Sequence, residues 1–394
     1  MNPLEIILII TFIITGSLAN IIPKIEMETK SLGIRFQHTW IFLFFMFLNE
    51  ILAFPIYYII NKNEKTENKN LNIENKKPEC KFYHSIPSVI FDFIGAGINF
   101  LGLAILPASI TQMLGSSQII FTYILSKLLT NNKHNINHYI GITLTIIGII
   151  FVGISGNNNS NYSLSTILMG IFCVLIAMFF LSCQVIYEEN LTKKYNCSVI
   201  KIIGFQGIFG SIFSFIMILI LSNISCGMGK SDFLKEICSL DDNGLYYVEN
   251  LGFAFKQLKN SSLLIFLTLF YFIGDLFCNL TGIKIGQILS AMSRSILEPV
   301  KSVVVWFYFV LPFNYPQLRE KVSIVQLIGF VILVFGNLIY HHVIDIIEIV
   351  NHYHLNKKKE NLKKNKNEND INNDSENSKL INDKEYNEED KLLV

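Results

Sequence analysis

Blocks of about 20 apolar residues separated by polar links decide what this chain can fold into, because each is long enough to cross a bilayer. Ten can be counted, at residues 4–22, 39–60, 86–106, 108–128, 139–155, 164–187, 199–221, 262–283, 289–309 and 323–343. Within the hydrocarbon no water satisfies backbone N–H and C=O groups, so each block must close its hydrogen bonds internally, as a helix does. The expected fold class is therefore an all-α integral membrane protein with ten transmembrane helices. A composition of 51% apolar residues agrees, and a net charge of +1 gives no reason to expect a nucleic-acid partner. Glu5 and the absence of Lys or Arg before the first block argue against a secretory signal peptide.

The ninth block is the anomalous one. It carries Arg294, Glu298 and Lys301 at i, i+4 and i+7, on one helical face, with Pro299 inside the charged run. A charge at the bilayer centre costs at least about 2.5 kcal/mol, so this face must turn to other helices or to a watered cavity. Pro299 removes a helical hydrogen bond and predicts a kink. The functional reading is a helix lining a path for a polar solute, with Glu50 opposite it. The alternative is an Arg294–Glu298 pair that only locks helices together. Glu50, Asp92 and Asp275 are further acids at membrane depth; carboxylates there can exchange protons or serve as helix-to-helix hydrogen bonds.

The links sort the chain into a first unit at 1–155, a second at 164–343 and a tail at 344–394. Residues 61–81 and the tail are Asn, Lys, Glu and Asp, and are expected to be disordered. The Lys and Arg excess in the links after even-numbered blocks places both termini in the cytosol and the long 223–261 link in the lumen or outside. Within that link Leu245, Val248, Leu251, Phe255 and Leu258 recur at helical spacing after Asn243, predicting a short amphipathic helix. Cys226 and Cys238 share the oxidising side and are expected to pair, although spacing alone does not fix connectivity.

Five blocks and five blocks make a repeat. Gly141 and Gly148 lie seven apart in the fifth, as Gly329 and Gly336 do in the tenth, and Asp92 of the third matches Asp275 of the eighth. Because five is odd, the second copy enters from the opposite face, giving two inverted five-helix repeats, the plan of many secondary transporters.

Specific residues then resemble a known family. Phe36-Gln37-His38 with Asn49-Glu50, Gln112-Met113-Leu114, and Tyr187-Glu188-Glu189-Asn190 resemble the F-type proteins of solute carrier family 35. So do Gln206-Gly207-Ile208-Phe209-Gly210 and Leu289-Ser290-Ala291 with Val303-Val304-Val305-Trp306. The likeness spans roughly residues 1–343. It implies the drug/metabolite transporter superfamily, ten spans, cytosolic termini, and Gln112 beside the charged residues as a substrate or coupling group. One departure is Gly115, where such proteins often carry a basic residue; its absence weakens a nucleotide-sugar assignment.

No Walker loop, nucleophile triad or metal-ligand cluster is present, so no cofactor, metal or enzymatic activity is expected. The expected function is a secondary transporter of a small polar metabolite working by alternating access with protons as a candidate coupling ion. The alternatives are a Golgi or ER nucleotide-sugar transporter, or a scaffold that recruits partners through its tail. Glu388 four residues before Leu392 and Leu393 resembles an acidic dileucine sorting signal, which predicts an endolysosomal or vacuolar membrane, with Golgi second.

Overall fold

A computed structural model describes residues 3–59, 81–129, 136–159, 164–195, 197–226, 237–240, 244–311 and 323–340. Most of the 61–81 link, and the tail with Glu388, Leu392 and Leu393, lie outside the described residues. The chain is mostly helical: α1 (Pro3–Glu28), α2 (Thr39–Glu50), α3 (Ile86–Ile105), α4 (Ala108–Gly115), α5 (Gln118–Leu129), α6 (Ile136–Asn159), α7 (Leu164–Lys194), α8 (Val199–Leu221), α9 (Leu251–Asn260), α10 (Ser262–Ile288), α11 (Ala291–Val310) and α12 (Ile324–Tyr340). Among the described residues seven helices are long and apolar enough to cross a membrane: α1, the stretch Thr39–Ile59 that continues α2, Phe82–Ile105, Ile136–Ile154, α7, α8 and α10. Of the expected spans the other three are α11, which carries three charges, α12, which is shorter, and the fourth block.

That block does not form one helix. It breaks between α4 and α5 at Ser116–Ser117, whose amides turn back to Met113 and Leu114. The break frees the carbonyl of Gln112, which accepts from Ser302 Oγ at 2.7 Å, while Gln118 O accepts from Ser182 Oγ at 3.0 Å. Broken backbone at membrane depth is tolerable only with such buried partners. Helical periodicity could not reveal the break, since Gly115-Ser116-Ser117 keeps the run apolar enough to read through. α11, by contrast, runs unbroken through Pro299.

Five helix pairs build the bundle: α1 with α10, α2 with α8, α3 with α7, α4 and α5 with α11, and α6 with α12. The last is the most extensive, and it is a glycine seam. A Cβ placed on Gly141 would lie 2.7 Å from Gly336 O, and one on Gly148 would lie 2.8 Å from Gly329 O. Gly141 and Gly148 of α6 thus each face a glycine of α12, backbone against backbone. The same device seats α2, where a Cβ on Gly207 of α8 would fall 2.5 Å from Ile51 N.

On the side of the long link the bundle carries a small polar cap. Hairpin β1–β2 (Lys30–Ser31, Ile34–Arg35) turns through Leu32 and Gly33, both at positive φ. Gln257 of α9 donates its Nε2 to Ser31 O and Ile34 O, so its Oε1 faces His38 Nε2 at 2.9 Å. Buried Glu249 holds the other His38 nitrogen at 2.5 Å and accepts from Trp40 N. The amphipathic helix starts at Leu251, capped by the Asn250 side chain, rather than after Asn243; Tyr246–Tyr247 before it are instead strand β4, paired with β3 (Ser239–Leu240). Cys226 and Cys238 are joined by a disulfide.

The seam yields a stability test. Gly148→Leu should cost about 3 kcal/mol through overpacking, read as a lower Tm of the detergent-purified protein. Gly153→Leu, where a Cβ would meet only Ile171 Cδ1 at 3.5 Å, should be tolerated.

Candidate functional site

Helices α1, α2, α3, α4, α7, α10 and α11, with the first residue of α5, line a cavity of about 170 Å³ at the centre of the bundle. Its position follows from the helix pairs just described, since every pair but α6–α12 contributes to its wall, and Gly115 just before the break leaves one point of that wall without side-chain bulk. Asp92, Gln112, Asp275, Arg294, Glu298 and Lys301 all line it. Glu50 does not. It is 1% exposed and lies behind the wall, where Asn279 Nδ2 donates to Glu50 Oε1 at 2.8 Å and to Asp275 Oδ2 at 3.3 Å. Asn49 Nδ2 completes the link to Asp275 Oδ2 at 3.0 Å. The expectation that Glu50 faces the ninth helix across the cavity is corrected: Asn279, a residue of the wall, takes up its carboxyl and stands between it and the open space.

The charges on α11 pair differently from their spacing on the helix. Arg294 Nη1 meets Glu188 Oε2 of α7 at 2.6 Å, and Glu298 Oε1 meets Lys301 Nζ at 2.7 Å. An Arg294–Glu298 lock is therefore not what forms. Glu188 is 2% exposed and holds three further bonds on Oε1: Gln206 Nε2 at 2.7 Å, Gln184 Nε2 at 2.9 Å and Ser88 Oγ at 3.4 Å. Burying an ion pair in low dielectric is tolerable only when the remaining lone pairs are satisfied in this way.

Glycine makes room for both basic side chains. A Cβ on Gly16 would lie 2.5 Å from Lys301 Cδ, and one on Gly282 would lie 3.0 Å from Arg294 Nε. Lys301 Nζ sits 4.4 Å from the centre of the Phe12 ring, a cation–π distance. Gly115 also lines the cavity, and a Cβ there would meet only Met178 Sδ at 3.9 Å, so space stands open at that position.

Glu188 escapes sequence reasoning because the apolar sixth block ends at Tyr187. In fact α7 is 31 residues long and carries Glu188 inside the bundle. One signal was available: Gln184 and Glu188 lie at i, i+4, two polar groups on one face of an otherwise apolar helix. Gly16, Gly282 and Asn279 left no such signal, since their roles come from what lies opposite them.

The sequence profile of solute carrier family 35 matches residues 6–229, more than half of the chain. The chain belongs to solute carrier family 35. This solute carrier is 26% identical over 309 residues to "Solute carrier family 35 member F6" of Rattus norvegicus and 24% identical to the protein of that name from Homo sapiens, in each case covering 78% of both chains. It is 23% identical over 293 residues to an uncharacterised protein of Schizosaccharomyces pombe, covering 73% of this chain and 82% of that one. A solved structure, described only as the crystal structure of a protein, superposes with a TM-score of 0.52 at 9% identity, over 86% of this chain and 96% of the other. That likeness concerns the fold alone. As a family member this solute carrier is a multi-pass membrane transporter of small solutes and not an enzyme.

The buried pair gives the site its first test. Glu188→Ala strands the Arg294 guanidinium and should destabilise the protein by about 3–5 kcal/mol. Replacing both partners, with Glu188→Leu and Arg294→Met, should restore most of the lost Tm in the purified protein.

Proposed function

We propose that this chain is a secondary transporter that moves a small polar solute by alternating access between two inverted five-helix repeats. The observation that carries the reading is the central cavity with five acidic and basic side chains on its wall at membrane depth. Ionisable groups inside the membrane are rare and mark solute and ion paths by default. The half-broken α4–α5 at the cavity wall supports it, since interrupted helices form the binding sites of many such carriers.

The repeat reading takes 1–155 and 164–343 as the two halves and counts α4 with α5, α11 and α12 as spans. It is supported by the pattern of helix contacts. Exchanging α1 with α7, α2 with α8, α3 with α10, α4–α5 with α11 and α6 with α12 returns the same five packed pairs. Two lysine clamps obey the same exchange. Lys24 of α1 donates to Leu103 O and Leu106 O at the end of α3, and Lys193 of α7 donates to Leu289 O at the end of α10. Of the residues expected to bind or couple, Asp92, Gln112, Asp275, Arg294, Glu298 and Lys301 contact the solute, while Glu50 acts through Asn279. Protons are the candidate coupling ion, both termini are cytosolic, and the membrane is endolysosomal or vacuolar.

Purified protein in liposomes, given labelled metabolites with a pH gradient on and off, tests the reading. Glu298→Gln should cut uptake about tenfold or more, equivalent to about 1.4 kcal/mol, with Tm and expression retained. Uptake unchanged in that variant would favour the scaffold alternative. For location, Leu392→Ala with Leu393→Ala should shift a tagged protein out of the acidic compartment. Unchanged delivery on imaging would remove Glu388, Leu392 and Leu393 as a sorting signal.

A further inference from the structure

The charges around the cavity do not balance. Arg294 is committed to Glu188, and Lys301 to Glu298. Asp92 and Asp275 are then left on the wall without a cation of their own among the described residues, only 6% and 7% exposed. Gln184 lies beside Asp92, with Glu188, Asp275 and Arg294 in electrostatic reach. Asp275 faces Lys301 as well as Asn49, but one ammonium cannot balance both Glu298 and Asp275. Behind them Glu50 adds a further carboxyl whose Oε2 has no hydrogen-bond partner. Tyr271 and Cys278, the other titratable groups on the wall, are neutral or negative and bring no positive charge.

The rest of the wall suits a cation too. Phe12, Phe100 and Tyr271 present aromatic surface, and the Lys301 ammonium already sits over Phe12. A carboxylate beside a ring face is the chemistry that selects an ammonium group over an anion. On the α4 wall Gly115 offers neither bulk nor charge. A volume of about 170 Å³ is that of about six waters at bulk density, so the solute is small.

We propose that the cavity binds a small organic cation, a primary amine or a quaternary ammonium, with Asp92 and Asp275 as its counter-ions, and that this cation exchanges for a proton. The proposal rests on the transporter reading above and names its substrate class. An unpaired carboxylate in this setting is costly, so in the empty site Asp92 and Asp275 both carry protons, and one carboxyl group gives its proton up. When the ammonium arrives, the O–H bond of that carboxyl breaks, the proton leaves to water on the open side, and the ammonium takes its place as counter-ion. One positive charge enters for one that leaves, so the occupied and empty cavities carry equal charge.

The test uses the full chain in detergent and in liposomes. The probes are choline, tetramethylammonium and ethanolamine, with 3,3-dimethylbutan-1-ol as the uncharged isostere of choline and 3,3-dimethylbutyrate as an anion. The expected result is that at least one of the three cations raises Tm and titrates to saturation while the isostere and the anion do not. Its affinity should weaken as pH falls, by up to about tenfold per unit where one proton competes. Asp92→Asn, Asp275→Asn and Gly115→Lys should each weaken binding about tenfold or more; the first two remove a counter-ion, and the third puts a competing cation into open space. Binding of the isostere or the anion as tightly as choline, affinity independent of pH, unchanged binding in Gly115→Lys, or no binding of any of the three cations would each overturn the proposal. Cation binding without uptake into liposomes would instead overturn the transporter reading and leave the site assignment standing, whereas pH-driven uptake of an anion alone would do the reverse.

Discussion

An ionised group inside a bilayer has to bring its own solvent, and the Arg294–Glu188 pair shows what that demands of the fold. The guanidinium needs a carboxylate, the carboxylate needs Gln184, Gln206 and Ser88, and these five residues sit on α3, α7, α8 and α11. Four helices are thereby fixed to one another by one charge. The same demand recurs on the other wall, where Asn49 and Asn279 tie Asp275 and Glu50 together across α2 and α10. Polar satisfaction, more than apolar burial, specifies which helix meets which, because lipid tails are as apolar as the helix faces they replace.

Close approach supplies what those networks require. Short side-chain bonds between helices form only if the backbones come near, and glycine permits that at Gly207 for α2, at Gly16 for Lys301 and at Gly282 for Arg294. Site and scaffold therefore depend on one device. The glycines that pack the bundle also clear the volume in which the charged side chains lie.

Much of this was legible in the sequence, and the limit has a physical form. Hydropathy gave the apolar helices, since a segment in lipid must satisfy its backbone alone. Charge on one face of α11 gave the wall of the cavity, and the cavity indeed takes in Arg294, Glu298 and Lys301. Periodicity says which way a side chain points along its own helix but not what stands opposite. The partner of Arg294 proved to be Glu188, and Glu50 proved to lie behind Asn279. The break at Ser116–Ser117 was hidden for a related reason, because the groups that make it tolerable, Ser302 and Ser182, belong to distant helices. Paired glycines in the fifth and tenth blocks could be read, whereas their facing one another could not.

That facing has a mechanical side. Across the α6–α12 contact Gly141, Gly148, Gly329 and Gly336 set backbone against backbone and against the first side-chain atoms of Tyr340, Leu333, Phe151 and Thr145. Side chains change rotamer to absorb a displacement, but a peptide plane cannot. Translation of one helix along the other would drive Tyr340 and Leu333 of α12 into the carbonyls of α6, whereas a small roll about the line of contact meets no such obstacle. The seam is thus stiff to sliding and soft to rolling. It lies away from the cavity, which takes no lining residue from α6 or α12, so this stiffness belongs to the scaffold and not to the charged wall.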